Sequence, residues 1–255
     1  MKYNKYMMSV ILGFTLLLLF TYSAYAEPTK LEIPKIGVTI DGVETPQEMA
    51  DSLRIVFLLT ILSLAPSILI MMTSFTRIII VLSFTRSAMG TQQMPPNQVL
   101  VGLALFLTLF IMAPVISDIN TNAYQPLISG EINETEALDI GMKPLREFML
   151  KQTYKKDMNL FLVISKQDKP GTPEEIPTAA LISAFITSEI KRGFQMGFFI
   201  YIPFIMIDMV VASTLMSMGM MMLPPIMISL PFKILLFILV DGWNLVIKTL
   251  ITSFS

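Results

Sequence analysis

The chain has 255 residues, 54% hydrophobic and only 15% charged, where a soluble domain carries about 25% charged residues. Its net charge is −1, so no basic field points to nucleic acid as a partner. Cys and His are both absent, which excludes disulfides, thiolate nucleophiles, Ser-His triads and imidazole metal sites together.

Residues Met1 to Ala26 read as a cleavable leader. Lys2 and Lys5 are its positive end, Met7 to Phe20 its apolar stretch, and Ala24-Tyr25-Ala26 its small-x-small end, so Glu27 starts the mature chain. An uncleaved first membrane helix is the alternative; the apolar run is short against the roughly 20 residues a span needs. Residues 27–54 are polar and rich in Pro and Gly, and read as an extracytoplasmic lead-in.

Residues 55–117 form a first hairpin. Ile55 to Thr76 carries no charge and Pro66 predicts a kink; Arg77 and Arg86 follow with no acid nearby. After the turn from Gly90 to Asn97 comes a second apolar block, Val99 to Ser117. Residues 118–192 differ in kind. They hold 11 acidic and 9 basic residues, 20 of the chain's 37 charges, with helical patterns at Pro144 to Met158 and Thr178 to Ile190 and a turn at Pro170 to Pro173. They read as a small polar insert. Residues 193–255 form a second hairpin: Gly193 to Leu215 with Asp208, a Met-rich run to Pro224-Pro225, then Ile226 to Ile251 with Lys233, Asp241, Trp243 and Lys248.

The expected fold is thus an all-α membrane protein: two long helical hairpins, four hydrophobic helical segments, and a small helical periplasmic insert. Leader cleavage leaves the N-terminus outside. Arg77 and Arg86 then fall in a cytoplasmic loop, as the positive-inside rule prefers, while Lys191 and Arg192 run against it. Pro95-Pro96 and Pro224-Pro225 end the two turns in matching positions, as an internal repeat or as a common helix stop.

Asp208, Lys233 and Asp241 are the charges set deepest in apolar sequence. Such groups are costly in a membrane and face a partner or a wet cavity. Lys233 and Asp241, eight residues apart on one expected helix, would lie about 12 Å apart, too far to pair. Asp208 and Lys233 share a depth in the hairpin, as a structural ion pair or a proton relay. The flanks of Asp208 and Asp241 do not match an intramembrane aspartyl protease. Met216, Met218, Met220, Met221 and Met222 fall within seven residues. Thioethers are soft Cu(I) ligands, but they are also flexible apolar fillers, which suits packing or sealing. Gly219 would free the loop to fold inward, and Pro224 and Pro225 would fix its end. In the insert, apolar Phe148 and Phe161 are candidates for pairing copies of the chain, and Glu189 is grouped with them as an assembly residue.

Met220-Met221-Met222-Leu223-Pro224-Pro225, Ile228-Ser229-Leu230-Pro231-Phe232-Lys233, Val240-Asp241-Gly242-Trp243, Arg77 to Arg86 and Gln93 to Gln98 resemble the FliP/SctR family of type III export-gate membrane proteins. The leader and the long insert favour its flagellar branch. The resemblance implies a gate built with FliQ and FliR, in which this chain is the multi-copy, pentameric component, with FlhA and FlhB nearby. Unfolded flagellar subunits would pass through it. The chain would do no chemistry and hold no cofactor, energy coming from the proton-motive force and an associated ATPase. It implies an inner-membrane, basal-body location and points to Met220, Met221 and Met222 as a pore gasket, with Met216 and Met218 beside them. The rival class is a polytopic ion or metal transporter, which would bind a small solute alone.

Overall fold

The computed structural model describes residues 46–91, 93–165, 172–220 and 222–254. The expected leader, the lead-in as far as residue 45, the Pro170-Gly171 part of a turn and Met221 lie outside the described residues. Among the described residues every regular element is helical: α1 Pro46–Met71, α2 Phe75–Ala88, α3 Asn97–Ile119, α4 Glu134–Gln152, α5 Lys155–Ile164, α6 Thr178–Ser217, α7 Pro225–Leu239 and α8 Gly242–Thr252. The chain divides into two compact units, Met1–Leu58 and Leu59–Ser255. In the first, the helix bears exposed Leu53, Val56 and Phe57.

The second unit is organised around α2. Ile78, Val81, Leu82 and Thr85 recur at helical spacing on one face and are fully buried. They pack with Leu100 and Ala104 of α3 and Val246 and Leu250 of α8. The opposite face meets α6 where that helix has no side chains. A methyl group added to Gly193 would lie 2.9 Å from Ile80, and one added to Gly197 would lie 2.5 Å from Phe84. A second core, of Met149, Met158, Leu162, Leu181, Ala184 and Phe185, joins α4 and α5 to the first part of α6.

Six boundaries differ from those expected. Helix α1 begins at Pro46, inside the expected lead-in, and the helix expected at Pro144 to Met158 instead runs from Glu134 to Gln152, breaks at 153–154 and resumes as α5. The first apolar block breaks at 72–74, so Arg77 and Arg86 belong to a helix and not to a loop. Two basic residues beside an apolar run look the same in sequence whether solvated or buried. At the insert's expected start, α3 runs on past Asp118 through a π-helical turn, Asn120–Tyr124, to Gln125–Ile128. At its end, Arg192 lies inside the 40-residue α6. Charge marks a face that meets water or protein; it does not stop a helix. Finally, α7 and α8 are bent by 62° at Asp241, whose φ of 50° is left-handed. Lys233 and Asp241 therefore do not share one helix. At the start of α4 the Asn133 side chain caps the helix, accepting from Glu136 N at 2.9 Å.

Two described stretches are long and apolar enough to cross a membrane, Asn97–Ile128 and Thr178–Ser217, with the bent pair α7 and α8 as a third if it counts as one span.

Candidate functional site

Two hairpin turns share one local design. Met89-Gly90 ends α2 and Met218-Gly219 ends α6, each glycine holding a left-handed φ, +74° and +75°. After Gly219 the chain closes a Schellman cap: Met220 N donates to Leu215 O at 3.0 Å and Gly219 N to Met216 O at 3.0 Å. After Gly90 the Thr91 hydroxyl reaches the matching carbonyl, Arg86 O, at 3.4 Å. Five residues after each glycine Pro-Pro begins, and the next helix starts. Arg86 braces the first turn by donating to Pro95 O at 3.2 Å and Asn97 Oδ1 at 2.5 Å. In the second turn the side chains of Met216, Met218, Met220 and Met222 are all exposed. An apolar groove of about 570 Å³ runs between α6 and α7 below it, lined by Met206, Val210, Thr214, Ile228 and Phe232 among others.

Between α6 and α7, Lys233 Nζ donates to Asp208 Oδ2 at 2.6 Å, and Ser229 Oγ donates to Asp208 Oδ1 at 2.5 Å. Lys233 is buried and reaches toward the first turn: a methyl on Gly90 would sit 3.8 Å from its Nζ. Asp241 stands apart, accepting from Asn244 Nδ2 at 3.0 Å. The two aspartates have different partners and share no proton.

The strongest polar cluster is one the sequence did not pair. Arg77 and Glu189, both fully buried, form an ion pair joining α2 to α6; Nε donates to Glu189 Oε2 at 3.0 Å and Nη2 to Oε1. Arg77 also donates to Gln152 Oε1 at 3.0 Å and to the carbonyl and hydroxyl of Ser253, both at 2.9 Å. Its guanidinium lies 3.7 Å from the centre of the Phe254 ring. Gln152 in turn accepts from Arg192 Nη1 at 2.7 Å and donates to Phe254 O at 3.1 Å. One guanidinium thus ties together α2, α4, α6 and the segment after α8. A smaller cluster joins α5 to α6, where Asp157 accepts from Ser188 Oγ at 2.9 Å and pairs with Lys191.

Of the residues expected to act in assembly, Glu189 is therefore turned inward. Phe148 packs edge-on against Phe185 at 5.9 Å and stacks on Phe254 at 6.3 Å. Phe161 lies partly buried against the second core. Among the described residues there is no cluster of three or more His, Cys, Asp or Glu suited to hold a metal ion.

Residues 58–250 match the model of the FliP family. The flagellar biosynthetic protein FliP of Bacillus subtilis is 56% identical over 217 residues, covering 85% of this chain and 98% of the relative. Its namesake from Treponema denticola is 49% identical over 224 residues, 87% of this chain and 83% of the relative. That of Aquifex aeolicus is 51% identical over 209 residues, 81% and 87%.

Proposed function

Because the chain belongs to the FliP family of flagellar export-apparatus membrane proteins, which are not enzymes, we propose that it is a core subunit of the flagellar type III export gate. In this reading several copies, five in the ring the family resemblance implies, assemble with FliQ and FliR in the inner membrane near FlhA and FlhB. Unfolded flagellar subunits leave through the centre. The N-terminal segment and the helices around α4 and α5 face the periplasm.

The observation that carries this reading is the second turn. Its thioethers stand exposed at the tip of a hairpin whose backbone is capped by Gly219 and whose exit is set by Pro224 and Pro225. A ring of such tips is lined by apolar, unbranched side chains that change rotamer readily. It can exclude water when empty and reshape around any polypeptide, as hydrophobic constrictions gate by dewetting. The helix lengths support the assembly. A 40-residue helix is about 60 Å long against a hydrocarbon core of about 30 Å, so α6 has apolar surface that lipid alone does not cover. The Asp208–Lys233 pair holds α6 to α7 directly below the turn and serves as a structural brace.

Replacing Met220, Met221 and Met222 with Ala tests the reading. The variant should still co-purify with FliQ and FliR as a large ring but should leak small ions in a flux assay. Leu replacements should seal better than Ala. An Ala variant that leaks no more than wild type reduces the Met run to ordinary packing and removes the gate reading's main support.

A further inference from the structure

The exposed sulfurs of the second turn have a chemistry that sealing does not use. Met222 is 97% exposed, Met218 72%, Met216 61% and Met220 41%. In the same chain Met149 is 0% exposed, Met112 2% and Met72 4%. The chain has no Cys, so no thiol competes for an oxidant, and thioethers are its softest electron donors. We propose that the second turn is an oxidation site, at which a hydroperoxide converts clustered methionines to sulfoxides and so opens the closed gate to ions. The consequence for the gate rests on the sealing role proposed above; the modification itself rests on thioether chemistry and on the exposure these side chains have in the single chain.

In the step, a sulfur lone pair attacks the terminal peroxide oxygen. The S–O bond forms as the O–O bond breaks, and the departing oxygen takes up the proton to leave as water or an alcohol. Sulfur is oxidised by two electrons and the peroxide is reduced by two. Each thioether becomes a polar, chiral sulfoxide, which a methionine sulfoxide reductase can return to the starting state. A sulfoxide oxygen accepts hydrogen bonds strongly. Several of them at one constriction hold water where thioethers expelled it, and the dewetting barrier falls. Met71, Met94, Met206, Met209 and Met227 are also exposed, but they lie outside the run from Met216 to Met222. Oxidation there leaves the constriction dry, so conductance separates the turn from the rest of the exposed sulfur.

The experiment uses the full chain in native membrane vesicles treated with hydrogen peroxide. Peptide mass mapping follows the gain of one oxygen at each methionine, and an ion-flux assay follows conductance. Met216, Met218 and Met222 should oxidise at least about tenfold faster than Met72, Met112 and Met149, as accessibility dictates. Ion flux should rise in step with the turn's oxidation. It should rise far less in a variant carrying Met216→Leu, Met218→Leu, Met220→Leu and Met222→Leu. Sulfoxide reductase should reverse the rise. Met149 oxidising as fast as Met222, or flux rising equally in the Leu variant, overturns the proposal. Failure of the gate reading shows separately: the triple Ala variant then fails to leak, whatever the oxidation map.

Discussion

Removing Glu189 strands the guanidinium of Arg77 at the centre of the fold. Glu189→Ala deletes two charge-assisted hydrogen bonds and the carboxylate that neutralises Arg77. What remains are Gln152 at 3.0 Å, the two oxygens of Ser253 at 2.9 Å and the Phe254 ring at 3.7 Å, all uncharged. A neutral hydrogen bond contributes about 1 kcal/mol net, so these do not make up for a buried charge left unpaired. Breaking such a pair from one side costs about 3–5 kcal/mol. For a unit of this size each kcal/mol moves the thermal midpoint by about 2–4 °C, so the expected drop is about 6–20 °C. The single Trp243 reports it directly, because it sits edge-on to Phe237 at 5.4 Å and its fluorescence changes when that contact opens. Arg77→Met combined with Glu189→Leu removes both charges at similar volume and should recover most of the loss. Glu189→Ala melting within about 2 °C of wild type, or the double variant no more stable than the single, would refute the reasoning.

Gly197→Leu should separate α2 from α6, since even a methyl there falls 2.5 Å from Phe84; a loss of about 1–3 kcal/mol or more is expected in the same melt, with Gly102→Ala, which meets nothing within 4 Å, as the unperturbed control. Burial pushes the Asp157 carboxyl up, but hydrogen bonds from Lys191 and Ser188 outweigh it and hold the group below its usual range. Its contribution to stability is therefore present above the unfolded value of about 3.9 and is lost as pH falls through the lower folded value, so Asp157→Asn should flatten the acid limb of a stability–pH curve. Asp208→Ala and Lys233→Ala should each impair assembly and motility, while the exchange Asp208→Lys with Lys233→Asp should restore part of both; an exchange no better than either single change argues against the brace.

What could be read from the sequence was whatever depends on local chemistry. The end of α6 at Gly219 and the helix start at Pro225 follow from residue types at fixed offsets. Asp208 and Lys233 could be matched because a hairpin relates their depths by counting from its turn. The Arg77 cluster was not legible for the opposite reason. Its partner lies 112 residues away and the serine 176 residues away, so no spacing rule connects them. Arg77 also sits next to a long uncharged run, where basic residues usually mark a membrane edge. The break at Thr73 was hidden because Pro66 is the more obvious helix breaker. Yet the chain stays helical through Pro66 and turns where the Thr73 hydroxyl donates to Ile70 O at 2.9 Å. Gly193 and Gly197 show a small-residue spacing, but only the packed structure reveals that Ile80 and Phe84 fill the space opposite.

The bend at Asp241 acts as a lever. The 11 residues of α8 make an arm about 16 Å long, and a 62° bend carries its tip about 17 Å from where a straight continuation of α7 would put it. That swing returns Ser253 and Phe254 to Arg77, so one residue with a left-handed backbone sets whether Ser253 reaches a guanidinium 176 residues earlier. The hub is complete only with α8 turned back onto α2. Shape at Asp241 and charge at Arg77 are thereby coupled through α8.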